Sequence, residues 1–255
     1  MTALTVLSLF TGIGGLDLGL QWAGMRVVGQ VEIDPFCQRV LARHWPEVPR
    51  HDDVHTCIPW WRSRPRPTVD VIAGGFPCQP VSTAGKGHGQ TDHRWLWPAM
   101  VEVIAALRPE WVVWENVPGL RTRGLHIVHS DLLALGYHHT VGITSACAVG
   151  APHMRKRLLG VAHAPGQRRR EGRPRGPAGQ TPNRNHQPPQ GMDQHPTPPQ
   201  PATRHWTHEP RMDRLVDGPP AELALRALGN TVVPHIAEHI GRLITTTHHD
   251  QEAAA

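Results

Sequence analysis

The 255-residue sequence has no apolar run near the roughly 20 residues that a membrane-spanning helix needs, and its N-terminus lacks the basic-then-apolar pattern of a signal peptide. Its four cysteines are far apart and form no Cys-x-x-Cys pair, which argues against a disulfide framework and against a zinc site. These absences predict a cytoplasmic protein with reduced thiols, no membrane anchor and no bound metal.

Lysine is also scarce, since it supplies only two of the 26 basic residues, and the net charge of +5 is unevenly distributed. The stretch from Pro165 to Arg214 holds nine arginines against four acidic residues, an excess that equals the whole net charge. Because the rest of the chain is neutral overall, this basic segment is expected to contact a polyanion. Binding through it would weaken steeply as salt is added.

Residues 1–164 alternate between short apolar runs and segments with helical spacing of apolar residues, which predicts a doubly wound, mostly parallel α/β sheet. We expect 1–164 to form a catalytic and cofactor-binding domain, 214–247 to complete it with two helices, and 248–255 to be a polar tail. The predicted strands cover Leu4–Phe10, Arg26–Glu32 and three buried parallel strands at Val69–Ala73, Glu110–Trp114 and Arg157–Ala162. The predicted helices cover Leu16–Ala23, Pro35–Trp45, Arg94–Leu107, Leu125–Leu135, Pro220–Leu228 and Thr231–Thr245.

The segment 165–213 has a different composition from the rest of the chain. Neither Val, Ile, Leu nor Phe occurs between His163 and Arg214, and 11 of the 26 prolines lie there. Ordering each residue would cost roughly 1 to 2 kcal/mol of backbone entropy, while a large buried side chain returns only about 1.5 to 3 kcal/mol. Because so few large apolar side chains are present, the sequence predicts a disordered, Pro- and Arg-rich segment.

A glycine-rich turn, Phe10-Thr11-Gly12-Ile13-Gly14-Gly15, separates the first predicted strand from the first helix. Glu32 ends the second strand, where an acidic side chain of nucleotide-binding α/β proteins accepts hydrogen bonds from ribose hydroxyls. The turn does not spell Gly-x-Gly-x-x-Gly, and Gly85-Lys86 lacks the Ser or Thr of a phosphate loop. S-adenosylmethionine is therefore the leading candidate cofactor, against the alternative of a plain tight turn and a surface glutamate.

Two further strands are followed by side chains that can carry chemistry. Cys78 follows the strand Val69–Ala73, and Glu115 ends the strand that begins at Glu110. A thiol with an ordinary pKa near ~8.5 needs activation before it can act as a nucleophile, and a buried carboxyl group can protonate a ring nitrogen. The alternatives are an inert core cysteine and a solvated or helix-capping glutamate.

In their order along the chain, these motifs resemble those of the DNA (cytosine-5)-methyltransferases. The matching motifs are Phe10–Gly15 for the cofactor loop, Gly75–Gln79 for the catalytic loop, Glu115–Val117, Arg155-Lys156-Arg157, and Gly229–Pro234 near the C-terminus. The resemblance implies a Rossmann-like, S-adenosylmethionine-dependent methyltransferase fold. By position in these motifs, it implies catalytic roles for Cys78, Glu115, Arg155 and Arg157, and cofactor contacts for Phe10, Gly12, Gly14, Glu32, Asp53 and Asn230.

The resemblance further implies that the Cys78 thiolate adds to carbon 6 of a cytosine flipped out of double-stranded DNA, with Glu115 at N3 and Arg157 at O2. It implies a role in restriction-modification or phage self-protection, with a cognate restriction endonuclease as a partner. The glycine-containing loop Val81–His93 is predicted to close over the base. The alternatives are an RNA cytosine-5 methyltransferase and a non-catalytic DNA-binding relative.

The sequence departs from the family pattern at two places. His153 stands where the family has Gln, two residues before the first Arg of the Arg-x-Arg motif. The segment 165–213 occupies the place of a target-recognition domain, and Arg214–Pro219 resembles a shortened form of the motif that organises that domain. We therefore expect a short disordered recognition insert in place of a folded domain.

Two histidine pairs have no neighbouring ligands at metal-binding spacing. These pairs are His138-His139 and His248-His249. They are predicted to lie on the solvated surface.

Overall fold

The computed structural model of the chain describes residues 2–77, 95–151, 154–164 and 232–253. Its strands are β1 Thr5–Leu9, β2 Arg26–Val31, β3 Arg50–His51, β4 Val71–Gly74, β5 Trp111–Asn116, β6 His138–Ser145 and β7 Lys156–His163. They form one sheet in the order β3-β2-β1-β4-β5-β7-β6. The first five strands in that order are parallel, and the last two run antiparallel to their neighbours or to each other.

Seven α-helices connect and flank these strands in the described ranges. They are α1 Gly15–Trp22, α2 Pro35–His44, α3 Cys57–Arg62, α4 Trp97–Leu107, α5 Leu120–Arg123, α6 Leu125–Ala134 and α7 Pro234–Ala253. Short 3-10 helices cover Val54–Thr56 and Ala146–Val149. The Asp34 side chain accepts a hydrogen bond from the backbone of Phe36 and so caps α2, whose first residue is Pro35.

The centre of the sheet is apolar because β1, β4 and β5 are covered on both faces. Leu7, Ile72 and Val112 are fully buried and belong to one core cluster, while Val6, Val71 and Val113 belong to a second cluster. Alternate residues of a strand point to opposite faces, so each strand contributes to both clusters. The predicted doubly wound, mostly parallel sheet is confirmed.

The direction of β7 corrects the prediction that Arg157–Ala162 forms a parallel strand. β7 pairs antiparallel with β5, placing Glu115 opposite Leu159 and Trp111 opposite His163. The sequence reading missed β6, whose polar and apolar residues are mixed, and β6 joins β7 through a short 3-10 helix. A connection this short favours an antiparallel pair, because parallel neighbours need a longer crossover. As a consequence, β7 begins at the edge where β5 ends.

The C-terminal helix packs along α1 and is longer than predicted. A side chain at Gly19 would collide with the Pro234 carbonyl and would lie 2.5 Å from the Ala237 side chain, so glycine allows this close approach. The helix continues to Ala253 through the predicted tail 248–255.

One histidine of each pair corrects the prediction that both pairs are solvated, whereas His138 is exposed as predicted. His248 is only 4% exposed, and its Nδ1 lies 3.3 Å from Oε1 of the buried Glu110. His139 accepts a hydrogen bond of 3.0 Å from the indole of Trp114, and burial lowers the pKa of His139 to about 4. His248 thus lies in the core and His139 at its margin, although the sequence predicted that both are on the surface.

Several predictions fall on residues that the structure does not describe. These are Cys78, the loop 81–93, His153, the segments 165–213 and 214–219, the helix 220–228 and Asn230. Within the described part, no helix is both long and apolar enough to cross a membrane.

Candidate active site

The predicted site residues of the described part gather at one edge of the sheet. Phe10 directly follows β1, Glu32 directly follows β2, and Gly75 directly follows β4. Glu115 is the next-to-last residue of β5. Because these four strands are parallel, their carboxyl ends meet at the same edge. The site is therefore assembled from separate parts of the sequence by strand direction.

The loop after β1 has backbone angles that favour glycine. Gly12 has φ +59° and Gly14 has φ +87°, while Phe10, a residue with a side chain, has φ +53°. A Cβ at Gly14 would lie 2.5 Å from the ring of Trp45, whose indole donates a 2.8 Å hydrogen bond to Gln21. Glycine is thus required at Gly14 both by conformation and by space.

Glu32 holds this loop through both oxygens of its carboxylate. Its Oε2 accepts a 2.6 Å hydrogen bond from the backbone N–H of Gly12, and its Oε1 accepts a 2.7 Å bond from that of Asp34. The residue is 9% exposed. A carboxylate has about four acceptor positions, so two remain for a ligand hydroxyl. The structure therefore adds a loop-holding contact to the predicted ligand contact.

A buried polar network supports the loop from below. Asp17 of α1 accepts hydrogen bonds of 2.5 Å from the Ser8 hydroxyl and 2.8 Å from the Gln30 amide. It is fully buried, and desolvation raises its pKa from 3.8 to about 6, against the lowering effect of these hydrogen bonds. The network joins β1, α1 and β2 directly beneath the glycine-rich turn.

Asp53 lies at the same edge, just after β3. The backbone N–H of Glu32 donates to the carbonyl of His51, which brings the two chain segments side by side. Asp53 Oδ1 accepts a 2.9 Å hydrogen bond from the His55 N–H and caps a 3-10 helix, whereas the neighbouring Asp52 is largely exposed. One oxygen of Asp53 is thus engaged in capping.

Ile33 is an exposed apolar residue at this edge that the sequence reasoning missed. It directly follows Glu32 and is 76% exposed, an unusual state for a large apolar side chain. An apolar side chain at that place suits the face of a flat ring. The sequence signal was an isoleucine immediately after a strand-ending acid.

The second half of the site is a buried ion pair. Arg157 Nε lies 2.6 Å from Glu115 Oε1, and the two side chains are 18% and 10% exposed. The pair forms because the amino end of β7 lies beside the carboxyl end of β5. A Cβ at Gly75 would lie 3.0 Å from Glu115 Oε2, so the carboxyl group also faces the chain that leads to Cys78.

Burial and charge act in opposite directions on Glu115. Desolvation raises its pKa, while Arg157 and Arg155 lower it without cancelling the rise. Desolvation, and then repulsion from Arg157, lower the pKa of Arg155, which Glu115 partly restores. The three predicted side chains therefore form one coupled electrostatic group that can present either a proton or a positive charge.

Asn116 is a second residue that the sequence reasoning did not single out. Its amide donates a 2.9 Å hydrogen bond to the Phe76 carbonyl, and its Oδ1 accepts one from the Val117 N–H. Asn116 is 4% exposed. It fixes the backbone two residues before Cys78 relative to the end of β5. The signal was its place directly after Glu115.

Of the ten predicted site residues, Cys78 and Asn230 lie outside the described ranges. The other eight fall into two groups, one around the loop after β1 and one around Glu115. Within the ranges that the structure describes, no three His, Cys, Asp or Glu side chains are grouped so as to hold a metal ion.

Comparison with known proteins places the chain among methylases. The family model for C-5 cytosine-specific DNA methylases matches residues 4–211. The Type II methyltransferase M2.BsuMI of Bacillus subtilis (strain 168) is 35% identical over 166 residues, which are 62% of this chain and 41% of that protein. M.Eco47II of Escherichia coli is 36% identical over 166 residues, 62% of this chain and 39% of the relative. The chain thus spans about two fifths of the length of these relatives.

Solved structures agree on the fold. A prophage-encoded Escherichia coli protein described as a DNA modification methyltransferase matches with a TM-score of 0.54 and 28% identity, over 64% of this chain and 47% of that one. The Dnmt2 methyltransferase of S. pombe matches with a TM-score of 0.53 and 23% identity, over 63% of this chain and 51% of that one. At that identity the second match speaks for the fold alone.

Proposed function

Because the chain belongs to the C-5 cytosine-specific DNA methylase family, we propose that it methylates carbon 5 of cytosine in DNA with S-adenosylmethionine as methyl donor. The observation that carries the proposal is the buried Glu115–Arg157 pair, which faces the chain leading to Cys78 at the edge where the glycine-rich loop also lies. A carboxyl group with a raised pKa beside a guanidinium suits the N3 and O2 atoms of a cytosine ring.

The residues of the cofactor loop fit an adenosine-containing ligand. The Glu32 carboxylate has acceptor positions left for ribose hydroxyls, and the exposed Ile33 offers an apolar surface for the adenine ring. Phe10, Gly12 and Gly14 shape the turn, while Asp53 and Asn230 are proposed as further contacts. Bound S-adenosylmethionine supplies an electrophilic methyl group to the site.

On the base side, Cys78 is proposed as the nucleophile. Its thiolate forms a bond to carbon 6 while the Glu115 carboxyl group donates a proton to N3, so that carbon 5 gains the electron density needed to accept the methyl group. A base then removes the proton from carbon 5, the carbon 6–sulfur bond breaks to release the Cys78 thiolate, and N3 returns its proton to the Glu115 carboxylate. Arg157 holds O2 and stabilises the negative charge that develops on the ring.

Two side chains hold this machinery in place. Asn116 ties the end of β5 to the carbonyl of Phe76, which precedes Cys78 by two residues in the sequence. Arg155 interacts electrostatically with Glu115 and is proposed to face Cys78 or the DNA backbone.

Because a duplex hides the target ring, the target base must flip out of the DNA helix at a cost of a few kcal/mol.

The curated relatives are Type II methyltransferases, which supports a role in restriction-modification and a cognate restriction endonuclease as a partner. An RNA substrate and a non-catalytic DNA-binding role are the alternatives. The test is transfer of a labelled methyl group from S-adenosylmethionine to duplex DNA and, separately, to RNA. We expect label in DNA with wild type and none with Cys78→Ala. Label in RNA alone would show that the substrate is RNA and not DNA. No transfer to either nucleic acid would contradict the proposal.

A further inference from the structure

A cavity of about 510 Å³ lies at the edge of the sheet opposite the candidate active site. Its lining includes Thr5 and Arg26, the first residues of β1 and β2, and Asp70 and Glu110, the residues just before β4 and β5. Because these strands are parallel, their amino ends lie at the edge away from Glu32 and Glu115. A ligand in this cavity would not overlap with the proposed cofactor or base sites.

Four arginines line this cavity, and none of them has a carboxylate partner in the described part of the chain. They are Arg26, Arg62, Arg66 and Arg108. An arginine side chain remains charged at any pH that a folded protein meets. The cavity therefore concentrates positive charge at one place.

The two acidic residues of the lining are engaged elsewhere. Asp70 Oδ2 accepts hydrogen bonds of 2.9 Å from both the backbone N–H and the hydroxyl of Thr5. Glu110 Oε1 lies 3.3 Å from His248 Nδ1 and 3.5 Å from His163 Nε2. Both carboxylates are thus engaged in contacts within the fold.

Three of the arginines make contacts with the rest of the fold, although Arg62 itself is exposed. The Arg66 guanidinium stacks 4.2 Å above the ring of Trp60 and 5.0 Å from that of Trp61. Its Nε is buried and has no hydrogen-bond partner. Arg62 Nη2 donates to the Ala106 carbonyl at 3.1 Å, and Arg108 lies 5.9 Å from the ring of Tyr137. Such positioning lowers the entropy lost when an anion binds.

The geometry points to a binding site for a phosphorylated small molecule in this cavity, formed by Arg26, Arg62, Arg66 and Arg108. Guanidinium groups match the oxygens of a phosphate group with paired, charge-assisted hydrogen bonds. The volume falls within the roughly 300 to 1,000 Å³ typical of small-ligand pockets, and a concave site suits a compact ligand better than a duplex backbone. The site is independent of the proposed methyl transfer.

The test uses the full chain and inorganic pyrophosphate as the probe, titrated by calorimetry at low salt. We expect saturable binding that weakens at least about tenfold, or about 1.4 kcal/mol, in the double variant Arg26→Gln with Arg108→Gln. Arg26→Glu, a single change at an exposed position, also lowers the charge of the lining by two units and should weaken binding to a similar degree. Arg43→Gln on α2, an exposed arginine outside the cavity, is the matched control and should bind as wild type does.

Thermal unfolding of each variant shows whether it is folded, so a loss of binding in a folded variant supports the site. Equal binding by wild type and both cavity variants would overturn it, as would weakening by Arg43→Gln to the same degree. Displacement of pyrophosphate by a short duplex oligonucleotide would overturn the assignment to a small molecule. It would show that the arginines bind a nucleic-acid backbone. Because the readout is binding without methyl transfer, failure here is distinguishable from failure of the proposed function.

Discussion

The two halves of the candidate active site are built by different means. Around the loop after β1, the site is formed by the backbone: φ angles are positive, Glu32 binds two N–H groups, and Gly14 has no room for a Cβ. Around β5 and β7, the site is formed by charged side chains, because Glu115 and Arg157 form a largely buried ion pair. The cofactor half therefore depends on shape, whereas the base half depends on which protons and charges its side chains carry.

Glu115→Gln should have the largest effect, since it removes the group that exchanges a proton while keeping its size. We expect kcat for methyl transfer to fall at least about 100-fold. Binding of S-adenosylhomocysteine, measured by calorimetry, should stay within about twofold of wild type because Glu32 and the glycine-rich loop are untouched. Equal losses in kcat and in cofactor binding would contradict the conclusion that the cofactor half and the base half act separately.

Gly14→Ala tests the cofactor half, with Gly24→Ala as its matched control. Both glycines have positive φ, which costs a residue with a side chain about 1–2 kcal/mol, but a Cβ at Gly24 meets nothing within 4 Å. At Gly14 the collision with Trp45 adds overpacking of about 1–3 kcal/mol. Denaturant unfolding should show a larger loss for Gly14→Ala, accompanied by weaker S-adenosylhomocysteine binding. Equal losses in the two variants would contradict the steric argument.

Asp17 gives the cofactor half its own dependence on pH. Because burial raises its pKa from 3.8 to about 6, the folded state retains a proton that the unfolded state has lost in this window. The stabilisation of the folded state by protonated Asp17 is complete below pH 3.8 and is lost as pH rises through about 6. The free energy of unfolding therefore falls by about 3 kcal/mol over this range. Denaturant unfolding at several pH values should show this decline.

Two variants isolate that contribution. Asp17→Asn should lack the decline, while Asp131→Asn, which changes another hydrogen-bonded carboxylate on α6, should keep it. If the Asp17→Asn profile runs parallel to that of wild type, the buried carboxyl group does not titrate in this window.

Asn116→Ala is expected to have the smallest effect of the four and to fall on the base half. It leaves the buried Phe76 carbonyl without its donor, at a cost of about 1–3 kcal/mol. Because the Cys78 backbone would be less well fixed, kcat should fall while the KM for cofactor is unchanged. Asn116→Asp keeps the size but places a carboxylate oxygen against the Phe76 carbonyl, so it should lower kcat at least as much as Asn116→Ala does. Full activity in either variant would show that the bond is dispensable.

The sequence predicted the carboxyl-edge residues well because strand and turn patterns place them there. Phe10, Glu32 and Glu115 each end a clearly apolar run, and the sheet brings those ends together. The direction of β7 could not be predicted, since its partner β6 has too mixed a pattern to show as a strand. For the same reason the sequence did not reveal the contact between Arg157 and Glu115.

Side-chain partners that depend on distant packing were also beyond the sequence. The second role of Glu32 requires Gly12 and Asp34 to converge on one carboxylate, and spacing does not reveal that convergence. His248 looked like part of a polar tail, yet α7 carries it to the buried Glu110, 138 residues away in sequence. Local pattern does not show such contacts because they arise from how helices dock on the sheet.

The most direct test of the central claim is base-resolution mapping of 5-methylcytosine in DNA from a methylation-free bacterial host that expresses the chain. Hosts expressing Cys78→Ala and Glu115→Gln are mapped in parallel, with soluble protein verified for each. We expect methylation at one short sequence motif with wild type and none with Cys78→Ala. Unmethylated DNA with soluble wild-type protein, or equal methylation with Cys78→Ala, would contradict it.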